Sequence, residues 1–184
     1  MTQAAAGNGR VLHQNYAISS VERRLAAWLI DFVMLLIAVA AIAALFGAWH
    51  SSTSTLVQAD GSTFTDTTFY PDRLWSESLL AILSAIYMIP LWTVWGATLG
   101  QRMLGMRVVG TGEPKPLPLH RAALRWAVLF GWTLLAIAAY FIGELSLVSF
   151  IWLVALLVAV VRDSRTQGLH DRAAGSFVVD GRIR

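Results

Sequence analysis

Hydrophobic positions gather into four long runs separated by polar segments. The first, residues 25–49, is long enough at ~1.5 Å per residue to cross a ~30 Å hydrocarbon layer as a helix. It begins beside Arg23 and Arg24 and carries one acid, Asp31. A central Asp costs ~2.5–3.5 kcal/mol on insertion, whereas each Leu, Ile, Phe or Val returns ~0.3–0.6 kcal/mol. Twelve of these apolar residues occupy the run, so the helix inserts in spite of the acid. A second run spans residues 78–95 and contains Pro90, which predicts a kink where neighbouring helices re-satisfy the freed carbonyl. A third covers residues 121–142 and a fourth residues 147–161, with Glu144 and Ser146 between them. One helix over both would overshoot the bilayer, which predicts a two-helix hairpin.

The polar segments differ from one another. Residues 1–15 are small and polar and read as a mobile cytoplasmic tail, leaving residues 16–184 as a single transmembrane domain. Residues 50–77 are rich in Ser and Thr, hold Asp60, Asp66, Asp72 and Glu77, show no hydrophobic period, and read as an exposed loop. In the basic connector 96–120, Leu99, Met103 and Met106 recur at helical spacing, predicting a short helix along the lipid interface. The stretches MRVVGTG (106–112) and GSFVVDG (175–181) are Val-rich and bounded by Gly, and are expected to pair as a small cytoplasmic β-ribbon. The expected fold is therefore an all-α integral membrane protein: a four-transmembrane-helix bundle with an interfacial helix and this ribbon.

Composition agrees with the pattern. Of 184 residues 57% are hydrophobic and 14% charged, with mean hydropathy +0.60, well above an ordinary soluble domain. A pI near 9.8 would suggest nucleic acid in a soluble chain. Here every Lys and Arg except Arg73 falls in the N-terminal segment, the 96–125 region or the C-terminal tail, so the basic charge marks the cytoplasmic side and no nucleic-acid partner is implied. Both termini are expected to be cytoplasmic, with the protein multi-pass in the cell membrane. Trp28, Trp49, Trp75, Trp92, Trp95 and Trp126 fall near the predicted span ends, where an indole prefers the interface, while Trp132 and Trp152 lie deeper and read as packing residues. A cleavable leader is a poor reading of the first run, which is too long, carries Asp31 and is followed by further spans. The absence of cysteine removes disulfides, thiolate metal sites and thiol nucleophiles.

Arg24 and Asp31 lie seven residues apart, nearly on one helix face but ~10 Å apart along the axis, too far for a direct bond. Asp31 must then face the bundle interior. Either it binds a proton or cation, since an ionisable group within lipid is by default a functional candidate, or it is a structural lock paired with a basic residue such as Arg102, Arg107 or Arg172. The lock is the favoured reading of the residue itself. In TQGLHDRAAGSFVV (166–179), His170, Asp171 and Arg172 stand together. With His120 they could form a metal site, but no ligand spacing supports it, and Asp171 is expected to accept hydrogen bonds or to pair with an arginine at the membrane face, tying the tail to the bundle. No phosphate loop, zinc-protease pair or Gly-x-Ser-x-Gly elbow occurs, so neither an enzyme nor a cofactor is expected. GATLG (96–100), with Ala123, Ala127 and Gly131, forms small-residue spacing that permits close helix contact.

Arg24 with Asp31, TLGQRMLGMRVV (98–109) and GLHDRAAGSFVV (168–179) together resemble the RDD family of small polytopic membrane proteins, over about residues 16–180. The resemblance implies that Arg24, Asp31 and Asp171 are the three naming residues. Gln101 stands where a Lys is common and Ser176 where a Thr is common; Arg102 keeps a charge alongside. It implies transport of a solute. Read from the residues, such a transporter would use Asp31 as its proton- or cation-binding carboxylate and would require a homo-oligomer, since four helices hardly enclose a pathway alone. The competing expectation is a non-transporting membrane adaptor or assembly protein in which the Arg and Asp residues are locks. The lipid bilayer and a membrane-protein partner or second copy are the expected partners.

Overall fold

The computed structural model describes residues 12–13, 16–46, 49–111, 115–142, 146–163 and 167–181. In chain order the elements are β1 (Leu12–His13), β2 (Tyr16–Ala17), α1 (Val21–Phe46), β3 (Trp49–Val57), β4 (Thr63–Pro71), α2 (Arg73–Val94), α3 (Leu99–Met103), β5 (Met106–Gly110), α4 (Leu119–Leu129), α5 (Gly131–Ile142), α6 (Ser146–Arg162), α7 (Leu169–Ala174) and β6 (Ser176–Asp180). Most of the expected tail, residues 1–11 and 14–15, lies outside the described residues, as does the predicted break at Glu144.

Two helices, α1 and α2, are long and apolar enough to cross a membrane. A third crossing exists if α4 and α5 count as one span, but they meet at a 60° bend. This corrects the expectation of an unbroken third helix. Phe130 closes α4 through its N–H to the Trp126 carbonyl, and Gly131 opens α5 against Trp152: a Cβ there would lie 2.8 Å from the indole Nε1. That indole donates to the Val128 carbonyl at 3.0 Å, joining α6 to the bend. The helix at the fourth run, α6, is apolar but has only 17 residues. α2 starts at Arg73, earlier than the hydrophobic run, because Asp72 caps it by accepting from the Trp75 N–H at 2.7 Å. Pro90 lies inside it without ending it.

The segment expected to be a loop is a nine-residue-paired antiparallel hairpin, β3 against β4. Its alternating Thr, Ser, Val and Phe suit a pleated ribbon, and Gly61 (φ +81°) with Asp60, whose carboxylate accepts from the Ser62 N–H at 2.9 Å, makes the turn. Every hairpin side chain from Trp49 to Phe69 described is exposed, so no core imposes a one-sided hydrophobic period.

The expected ribbon is present: β5 pairs antiparallel with β6, Met106 opposite Asp180 through Gly110 opposite Ser176. Met106 therefore belongs to a strand, and the interfacial helix stops at Met103. Ile18 bridges to Val179, so the chain entering α1 lies beside the ribbon. Met106, Val108 and Val178 point into the same core as Ala27, Met88, Trp92, Leu117 and Phe130. Trp92, expected at a span end, is instead 1% exposed and central.

Candidate functional site

Two buried carboxylates organise the molecule, each in a different way. Asp31 is 2% exposed on α1, and no cation among the described residues pairs with it. It accepts from the Tyr87 hydroxyl of α2 at 2.6 Å, the Thr98 hydroxyl at 2.5 Å and the Gly100 N–H at 2.9 Å. Thr98 can reach it because it is the N-cap of α3: its hydroxyl accepts from the Gln101 N–H while the Gln101 carbonyl accepts from the Thr98 N–H, a reciprocal capping box. The Trp92 indole donates to the same Gln101 oxygen at 3.2 Å. Gly100 can reach it because it lacks a side chain; a Cβ there would sit 2.4 Å from the Ala27 carbonyl. The small-residue spacing GATLG thus has a specific use.

The arginine partner expected for Asp31 is not there. Arg102 lies over the Trp95 ring at 4.6 Å, Arg107 points outward from β5, and Arg172 pairs with Asp163 on the surface. In its place two hydroxyls and one backbone N–H converge on the carboxyl group and satisfy it by hydrogen bonds.

Asp171, 0% exposed on α7, is the ion-paired one. Arg125 of α4 contacts one oxygen at 2.6 Å and Arg24 of α1 the other at 3.1 Å. The Gly168 N–H donates to it at 3.3 Å and the Ser176 hydroxyl lies at 3.4 Å. Arg24 also donates to the Val178 carbonyl at 2.9 Å, and Arg125 to the Ser176 hydroxyl at 2.8 Å while lying over the Trp92 ring at 4.8 Å. Beside them Arg23 pairs with Asp180 at 2.6 Å and donates to the Leu104 carbonyl. The first turn of α1 is thereby riveted to the final strand of the ribbon. Asp171 does pair with arginine; Arg125, the more deeply buried of its two partners, was missed because it is counted with the basic charge of the 96–125 region. Its signal was an arginine between Leu124 and Trp126 within an apolar run.

His170 stands against this cluster, its Nε2 3.6 Å from Asp171. Burial pushes the imidazole down to about 4; Asp171 opposes this, and Arg125 and Arg24 add to it. Burial by itself would push the Asp171 carboxyl up, but Arg125, His170 and Arg24 outweigh it and hold it below the ordinary carboxylate range. Both shifts mean that the unfolded chain binds more protons than the folded one as acid is added. Stability contributed by His170 is complete above pH ~6.5 and falls by up to ~1.4 kcal/mol per pH unit between ~6.5 and ~4, with the Asp171 contribution lost below that. Thermal melts in detergent across this range should show the decline, and His170→Gln should flatten its upper part.

Both carboxylates border one cavity of about 460 Å³, which Arg24, Arg125, Trp92 and Thr98 also line. No group of three or more His, Cys, Asp or Glu able to hold a metal occurs among the described residues. Comparison with curated proteins and with solved structures finds no match. The sequence pattern of the RDD family, however, matches residues 18–175. That stretch contains Arg24, Asp31 and Asp171 with all their partners but Ser176 and Val178, and the chain, a membrane protein, belongs to the RDD family.

Proposed function

We propose that this chain is a multi-pass, non-transporting adaptor or assembly protein of the cell membrane, with both termini cytoplasmic, in which Arg24, Asp31 and Asp171 are structural locks. The observation that carries this reading is how Asp31 is held: three donors converge on its carboxyl group, and each belongs to an element that packs on α1. A proton or cation carrier needs an acid that exchanges its partner, and here the exchange would release α3 from α1. The hairpin supports the adaptor reading too, since a two-stranded ribbon whose edges pair with no other strand among the described residues offers backbone groups to a partner. The protein acts on no substrate in this account and needs no cofactor.

In proteoliposomes, proton and sodium fluxes should equal those of empty vesicles. The second reading, ion or solute transport, is favoured by one observation, that Asp31 borders the cavity. It predicts flux above background with a pH dependence that Asp31→Asn abolishes while the protein stays folded.

A further inference from the structure

The cavity has walls of two kinds. At one end stand Arg24, Arg125 and Asp171, with one positive charge in excess. From there, Val160, Leu157, Val154 and Phe150 of α6 carry the wall away over ten residues, roughly 15 Å of helix. Leu25 and Trp28 of α1 face them. Leu157, Val154, Phe150 and Leu25 border the cavity and are all exposed, and α1 and α6 make no extensive contact, so it opens sideways between them. In a membrane that opening faces acyl chains. At the charged end Arg125 is 2% exposed, yet its Nε–H has no hydrogen-bond partner among the described residues. A buried donor left unmade costs ~1–3 kcal/mol or more for a charged group, which a ligand oxygen would recover.

We propose that this cleft binds an anionic phospholipid from the surrounding bilayer, one acyl chain lying along α6 and the phosphate accepting from Arg125 and Arg24. The volume falls within the ~300–1,000 Å³ of ordinary ligand sites. The distribution of unmet donors selects the occupant: two arginines face one carboxylate at the charged end, whereas Asp31, Thr98 and Gln101, which also line the cavity, are already hydrogen-bonded, and the rest of the lining is hydrocarbon. A zwitterionic lipid would bring its own cation against two arginines. The assignment is independent of whether anything is transported, because it concerns occupancy at equilibrium.

Native mass spectrometry of the purified full chain in detergent tests it, with phosphatidylglycerol and phosphatidylcholine of matched chains as probes. We expect one phosphatidylglycerol to bind at least ~10-fold more tightly than phosphatidylcholine, a difference of ~1.4 kcal/mol. Val154→Phe, which narrows the cleft from an exposed position on α6, should remove that preference at unchanged melting temperature. Arg125→Lys keeps a cation against Asp171 but has no Nε–H, and should reduce the preference as well. Equal binding of the two lipids, or a preference that survives Val154→Phe, would overturn the assignment. Displacement by excess inorganic phosphate would do so too, by making this a free-anion site. Ion flux above empty vesicles would count against the adaptor reading and leave this one standing.

Discussion

Replacing Arg125 with Met is expected to destabilise the protein by ~3–5 kcal/mol, enough to abolish expression or to lower the melting temperature steeply. The reason is what remains behind. Asp171 is wholly buried, and its shortest ion pair, at 2.6 Å, is the one removed. Ser176 loses a donor in the same step, and the face of Trp92 loses its cation. Arg24→Met should cost less, because its pair with Asp171 is longer, at 3.1 Å, and its side chain is 10% exposed, so water partly compensates. Replacing the buried set together with apolar residues of similar volume should be milder than Arg125→Met alone, since no isolated charge is then left in the interior. Detergent melts of the three variants give the order, and a milder Arg125→Met than Arg24→Met would contradict the geometry.

Gly100→Ala should be nearly as severe, although it adds a single methyl group. The added carbon would lie 2.4 Å from the Ala27 carbonyl and 3.0 Å from the Asp31 carboxyl carbon. The first of these is backbone in the middle of α1, which cannot swing aside, so α3 must move away. Overpacking costs ~1–3 kcal/mol, and separation of α3 from α1 also strains the two hydrogen bonds that Thr98 and Gly100 donate to Asp31, worth ~0.5–1.5 kcal/mol each. Asp31→Asn keeps the shape and retains an acceptor oxygen, so it should be the milder change. Gly100→Ala melting with the unmodified protein would show that α3 does not rest on α1 as described.

Much of this organisation is legible in the sequence, for identifiable reasons. The apolar runs at the first two helices are long and uninterrupted enough that composition alone locates them. The ribbon is visible because Val-rich stretches flanked by Gly stand out in an otherwise helical chain. Asp31 and Asp171 are conspicuous as acids in or beside apolar surroundings. Their partners are less so: Tyr87, Thr98 and Gly100 carry no charge, and nothing in their spacing announces a carboxylate 56 to 69 positions away. Arg125 hides among the cations of the 96–125 region, although its neighbours Leu124 and Trp126 mark a helix already entering the bundle. The hairpin is hidden for another reason: both its faces are exposed, so the alternation that reports a half-buried strand has no core to write it. The bend at Phe130 arises where α6 supplies Trp152, a contact that local sequence does not encode.

A buried ion pair between the first helix and α7, beside the last strand, is the joint on which the rest depends, and a double-mutant cycle over Arg24→Met and Asp171→Asn measures it directly. Contact at 3.1 Å across 147 positions of sequence predicts a coupling of ~1–3 kcal/mol, the double variant being less damaged than the two single losses added together. Losses that add to within ~0.5 kcal/mol would mean the two residues do not meet, and would contradict the account.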